Sequence, residues 1–93
     1  LKKSEIVDIV RLQFNGVKKM LENNGIAIEI TDKAVQWLAD AGYDPQFGAR
    51  PVKRVIQRTL LNDLSKQILA EEVSKDSRIV VDVKDDKIIF ENK

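Results

Sequence analysis

Apolar side chains recur along the first quarter of the chain at Ile6, Ile9, Val10, Phe14, Val17, Met20 and Leu21, with Leu12 beside the stripe. Steps of three and four residues are the spacing of one helical face. Ser4 is placed to cap this helix, and Asn23-Asn24-Gly25 ends it where a left-handed residue is cheap. Ile26-Ala27-Ile28-Glu29-Ile30 alternates large with small or polar side chains and is too short for a helix, so it is predicted as a strand. Thr31 caps a second helix with Ala34, Val35, Leu38 and Ala41 inward, Trp37 on the border of the stripe and Gly42 as the stop. A long third helix starting near Arg50 carries Val52, Val55, Ile56, Leu60, Leu64 and Ile68 on one face. Arg78 to Val83 and Lys87 to Glu91 are β-rich runs joined at Lys84-Asp85-Asp86, a closing hairpin with Ile79, Val81 and Val83 turned inward. Helix, strand, helix, helix, strand, strand predicts an α+β domain in which three helices pack with a small three-stranded sheet. Without a repeat, linker or low-complexity tract, residues 1–93 read as a single domain.

Composition narrows the chemistry. Ninety-three residues bury roughly 60 to 65% of their unfolded surface, enough for one core. The chain is 43% hydrophobic and 33% charged with a net charge of +1, a balance that fits a soluble globular domain and gives no support to a nucleic-acid partner. It has neither cysteine nor histidine, which removes disulfides, the usual zinc ligands, the commonest general base and the Ser-His and Cys-His dyads together. No apolar run reaches the roughly 18 residues of a membrane span, and Leu1-Lys2-Lys3 is not a signal sequence. The start without methionine reads like a piece cut from something longer.

The stretch Gly42-Tyr43-Asp44-Pro45-Gln46-Phe47-Gly48-Ala49-Arg50-Pro51 is rich in turn residues and delivers an arginine to the start of the third helix. Pro51 suits a first helical turn, and the residue before a proline is biased away from helical angles, which puts Arg50 at the cap. Between Asp44 and Asp63 the only charges are Arg50, Lys53, Arg54 and Arg58. Cations at the positive end of a helix dipole are locally unfavourable, and Glu71 and Glu72 repeat the mismatch at the other end. A bound phosphate would explain the first. The residues alone leave Arg50 evenly balanced between anion ligand and ordinary cap. Arg54 and Arg58, four and eight residues on, read as a solvated edge or as a track for phosphates or an acidic partner. No Gly-Lys-Ser or Gly-Lys-Thr loop and no strand ending in paired acids is present, so the chain alone does not hydrolyse a nucleotide. Asp85 and Asp86 read as turn residues, the pair Asp82 and Asp85 as a weak cation signal, and Trp37 and Tyr43 as structural.

Gly42-Tyr43-Asp44-Pro45 with Gly48-Ala49-Arg50-Pro51-Val52-Lys53-Arg54-Val55-Ile56-Gln57 resembles the sensor-2 region of the Clp class of AAA+ ATPases. Ile6 with Ile9-Val10-Arg11-Leu12-Gln13 is similar to the first helix of the small subdomain in the second ATPase module of ClpB-type disaggregases. The likeness continues through Ile28-Glu29-Ile30-Thr31-Asp32, Ala34, Leu38, Leu64, Ile68-Leu69 and the hairpin, and so covers nearly the whole chain. It departs after the third helix, where relatives usually carry glycines and this chain has Glu71, Glu72, Ser74 and Asp76.

The resemblance implies that Arg50 is a sensor-2 arginine reaching the phosphates of ATP, with Gly48 and Ala49 letting the backbone come close and Ile9 or Leu12 bordering the adenine. ATP would be bound jointly with a large AAA+ subdomain in cis, and the Walker motifs, Mg and arginine fingers would lie outside this segment. It further implies a cytoplasmic stress-response chaperone whose subunits form a homohexamer, which works with a DnaK-type chaperone on unfolded polypeptide. The alternatives are a ClpA- or ClpC-type unfoldase that feeds a protease, or a stand-alone protein-binding adaptor.

Overall fold

The computed structural model describes residues 3–93. Helix α1 (Lys3–Asn23) buries Ile6, Val10 and Phe14, with Ile9, Val17 and Leu21 packed at the margin of the core. Ser4 lies inside the first turn of α1 rather than at its cap. Leu12 and Met20 face solvent: at about 100° per residue Leu12 lies half a turn from the Val10–Phe14 line, on the outer face of α1, and Met20 about a quarter of a turn from it, at the margin of the stripe. Past Asn23 the chain reverses through Gly25 at φ 79°, and the Ile26 N–H donates to the Leu21 carbonyl at 2.9 Å. This is the left-handed helix ending for which glycine is suited.

Strand β1 is Ile28–Ile30, shorter than the predicted run from Ile26, since Ile26 still belongs to the helix ending. Helix α2 (Asp32–Ala41) is capped by Thr31, whose Oγ1 accepts from the Ala34 N–H at 3.2 Å. The same hydroxyl donates to Asp82 Oδ1 at 2.9 Å, and the Val83 N–H donates to that oxygen at 2.8 Å. The two hydrogen bonds, Val83's first, hold the Asp82 carboxyl below its ordinary value by favouring the charged form. Asp82 is therefore a structural acceptor rather than half of a cation site. The buried residues of α2 are Ala34, Val35, Leu38 and Ala39; Ala41, expected inward, is exposed, and Ala39, four residues after Val35, is buried in its stead.

Helix α3 runs over residues 52–69. It is α-helical over Val52–Ile56, π-helical over Gln57–Asp63 and α-helical again over Leu64–Leu69. Val52, Val55, Ile56, Leu60 and Leu64 are buried as the spacing predicts, Ile68 is half-buried, and Thr59 joins the buried face. Steps of four residues drift forward around an α-helix, and the wider i→i+5 turns take that drift back, so Ile56, Leu60 and Leu64 stay in line. The helix ends through Glu71 at φ 60°, with the Glu72 N–H donating to the Gln67 carbonyl at 2.9 Å. Val73 then turns back into the core.

Strands β2 (Ile79–Lys84) and β3 (Lys87–Asn92) form an antiparallel hairpin, and β1 pairs with β2 in parallel, giving the sheet order β1-β2-β3. Asp85 and Asp86 both have positive φ, 53° and 61°, the backbone of the tight two-residue turn that matches strand twist. Ile79, Val81 and Phe90 face the helices fully, whereas Val83, nearer the turn, is only half-buried. Trp37 leans from α2 against the core and its Nε1–H donates to the Asp86 carbonyl at 3.1 Å, fastening the hairpin turn to the helix layer. The outcome is an α+β fold of three helices on a three-stranded mixed sheet, with elements in the order expected.

Candidate functional site

The turn between α2 and α3 is held by its own side chains and backbone. Asp44 Oδ1 accepts from the N–H groups of Gln46 at 2.7 Å and Phe47 at 3.0 Å, closing an Asx turn over Pro45. The Asp44 N–H donates to the Gly48 carbonyl at 2.9 Å and the Gly48 N–H to the Asp44 carbonyl at 2.7 Å. Gly48 closes the loop at φ 64°, where a Cβ would be strained. Its glycine is thus required by the turn itself. At the entrance, Gly42 lies against Val52 so closely that a Cβ built on it would be 2.7 Å from Val52 Cγ2 and 2.9 Å from Val52 Cα. The end of α2 and the start of α3 touch backbone to backbone there.

The exit leads straight into the helix. The Arg50 N–H donates to the Phe47 carbonyl at 3.3 Å, the Val52 N–H to Ala49 at 3.0 Å and the Val55 N–H to Pro51 at 3.0 Å. Pro51, at φ −74° and ψ −10°, caps α3, so the helix starts two residues after Arg50 and Arg50 lies in the turn. The difference is small, because the preceding turn already bonds in helix-like i→i+3 steps. Ala49 packs against the core while Arg50 is exposed, with its guanidinium carbon over the Phe47 ring, 5.5 Å from the centroid. That lies within cation–π range. Among the described residues no carboxylate pairs with Arg50, Lys53, Arg54 or Arg58, in contrast to the paired cations Arg11 (with Asp32, 2.7 Å) and Lys18 (with Glu29, 2.8 Å).

The remaining residues singled out in the sequence lie on α1. Ile9 is half-buried against the core, and Leu12 is 69% exposed. Helices α1 and α3 pack on each other, but among the described residues no hydrogen bond or ring contact links Arg50 to Ile9 or Leu12. Arg54 and Arg58 are exposed, Arg58 within the π-helical turns. The ring of Phe47 beneath Arg50 is the neighbour that sequence reasoning missed. Its signal was an aromatic three residues before an arginine inside a tight turn. Tyr43, read from the sequence as structural, is 48% exposed, and the turn is closed by Asp44. No helix among the described residues is long and apolar enough to cross a membrane.

Chemically, the arrangement offers a planar cation with several N–H donors, carried by a hydrogen-bonded turn and, among the described residues, not paired with an acid. It suits phosphate or carboxylate oxygens and offers no acid–base partner for proton transfer.

A family model of the C-terminal, D2-small domain of ClpB protein matches residues 1–81. The chain is 54% identical over 92 residues to Chaperone protein ClpB of Bacteroides thetaiotaomicron and 47% identical over 92 residues to that of Porphyromonas gingivalis, covering 99% of this chain and 11% of each relative. It is 42% identical over all 93 residues to Probable chaperone protein ClpB 1 of Chlorobaculum tepidum, 21% of whose length it spans. The match takes in the turn, Arg50, all three helices and the start of the hairpin, and the chain belongs to the ClpB family as its C-terminal D2-small domain.

Proposed function

We propose that this domain is the lid of an ATP-dependent protein disaggregase, and that Arg50 is the sensor-2 arginine that couples nucleotide state to lid movement. The observation that carries the reading is an exposed Arg50 with no acidic partner among the described residues, held by the Asp44–Gly48 turn at the entry to α3. An arginine so placed stabilises phosphate charge without taking a proton. ATP would lie between this domain and a large AAA+ subdomain in cis that holds Mg. Ile9 or Leu12 would border the adenine, and Gly48 and Ala49 would keep the backbone lean beside the phosphates. The wider setting proposed is a cytoplasmic homohexameric ring in which the lid of one subunit meets the next, acting with a DnaK-type chaperone on unfolded polypeptide. Membership of the ClpB family favours this over the protease-linked ClpA and ClpC reading.

The test uses the full-length protein with its first ATPase module silenced. Arg50→Ala should lose about 1.5 to 3 kcal/mol of charge-assisted contact, roughly ten- to a hundred-fold in nucleotide affinity or turnover. Arg54→Ala and Arg58→Ala should do much less, since they lie one and two turns further on. If either matches the loss while Arg50→Ala behaves as wild type, the sensor has been assigned to the wrong arginine.

A further inference from the structure

We propose that Phe47 is a positioning residue for Arg50, its ring serving as a platform that holds the guanidinium outward while leaving its charge intact. The inference rests on the reading of Arg50 as a nucleotide contact and adds the residue that prepares it. Three observations carry it. The guanidinium carbon sits over the ring at 5.5 Å from the centroid. Both residues are fixed by one turn, because the Phe47 N–H donates to Asp44 Oδ1 and the Phe47 carbonyl accepts from the Arg50 N–H. And Phe47 is 51% exposed and absent from the core, so packing gives no account of an aromatic at this position.

The choice of a ring rather than an acid has a chemical consequence. A carboxylate beside Arg50 would hold the side chain equally well, yet it would cancel the charge that phosphate must meet and occupy the N–H fork. Attraction to the face of a ring restricts a rotamer-rich side chain without providing a competing acceptor. Part of the ordering cost of nucleotide contact is then already met before the nucleotide arrives.

The experiment compares Phe47→Leu, Phe47→Tyr and Phe47→Trp in the full-length protein with the first module silenced, each alone and with Arg50→Ala, reading nucleotide affinity. Phe47→Leu should weaken binding about 2- to 5-fold, the range of an exposed cation–π contact. Phe47→Tyr and Phe47→Trp should stay at or above wild type, and Phe47→Leu should add nothing once Arg50 is alanine. Wild-type affinity in Phe47→Leu, tighter binding, or an equal loss in the Arg50→Ala background would each overturn the proposal. So would failure of Phe47→Leu to fold, which would make the ring structural. A second readout separates this claim from the one beneath it: side-chain NMR relaxation of the Arg50 Nε–Hε group in the 93-residue chain. Greater mobility in Phe47→Leu, restored in Phe47→Tyr, supports positioning even if Arg50→Ala leaves nucleotide affinity unchanged and the sensor reading fails. Unchanged mobility overturns it whatever the affinity shows.

Discussion

Replacing Gly42 by alanine sets two physical effects of opposite sign against each other. Gly42 ends α2 at φ −93° and ψ 0°, angles that L-residues can adopt. Backbone entropy alone therefore favours alanine, by about 0.4 to 1 kcal/mol through the unfolded chain. Packing opposes it, because the new Cβ would stand 2.7 Å from Val52 Cγ2, 2.9 Å from Val52 Cα and 3.2 Å from the Leu38 carbonyl oxygen. Val52 Cγ2 belongs to a buried side chain with little room to turn, and Val52 Cα moves only if the first turn of α3 moves. Overpacking of this kind costs about 1 to 3 kcal/mol, occasionally more, which outweighs the entropic gain. We expect a net loss, read as a fall in melting midpoint of roughly 4 to 8 °C per kcal/mol for a domain of this size. Thermal and urea unfolding followed by circular dichroism measure it, with two other glycines as internal references. Gly16, in α1 with open space around it, should gain about 1 kcal/mol as alanine. Gly25 also has open space, but its φ of 79° should make alanine cost about 1 kcal/mol from backbone strain alone. A Gly42→Ala chain as stable as wild type, or more so, would refute the reasoning and mean that the α2–α3 contact yields to a methyl group.

Two further outcomes follow from the same backbone and hydrogen-bond geometry. Glu71→Gly should stabilise the domain by about 1 kcal/mol, since it relieves a left-handed residue and removes an acid from the negative end of α3; equilibrium urea unfolding checks the sign. The Asp82 carboxyl is held below its ordinary value by Val83 and Thr31, so its contribution is fully present above the unfolded value of about 4 and is lost as pH falls through the lower folded value. Stability of wild type and Asp82→Asn, measured in parallel, should therefore differ by a constant amount above about pH 5 and converge in acid; a gap that widens in acid would contradict it.

Much of this architecture is legible because its signals are local. Thr31 caps α2 as its chemistry demands, Gly25 takes the left-handed site, and the apolar steps from Val52 to Leu64 trace one buried face. Other features depend on partners distant in sequence. Nothing in Ile28–Ile30 says that it pairs with Ile79–Val81 in parallel, and Val73, one apolar residue among acids and serines, is buried only because the chain after α3 folds back beneath the helix end. Met20 carries the right period and is nonetheless exposed, since a wide apolar stripe does not tell which of its edges the domain will cover, and Leu12, half a turn from Val10, lies on the outer face despite its apolar side chain. The π-helical turns are hidden for the opposite reason: they preserve the four-residue spacing that an α-helix would lose. At the site, the Asp-Pro and Gly signals located the turn and its arginine. The hydrogen bonds that close the turn, and the ring under Arg50, are three-dimensional contacts that no run of residues spells out.

The parallel pairing of β1 with β2 also bears on the order in which the chain acquires its structure. Ile28 and Ile79 are about fifty residues apart, and closing a loop of that length costs about 3.5 kcal/mol of chain entropy before any ladder contact forms. The β2–β3 hairpin closes through two residues, and each helix forms within itself. These local pieces are expected to assemble first, with β1 joining the sheet once the docking of α1, α2 and α3 has drawn the two strands together. Only then is Asp82 close enough to accept from Thr31. On this order that bond should form among the last contacts, so its loss should speed unfolding far more than it slows folding.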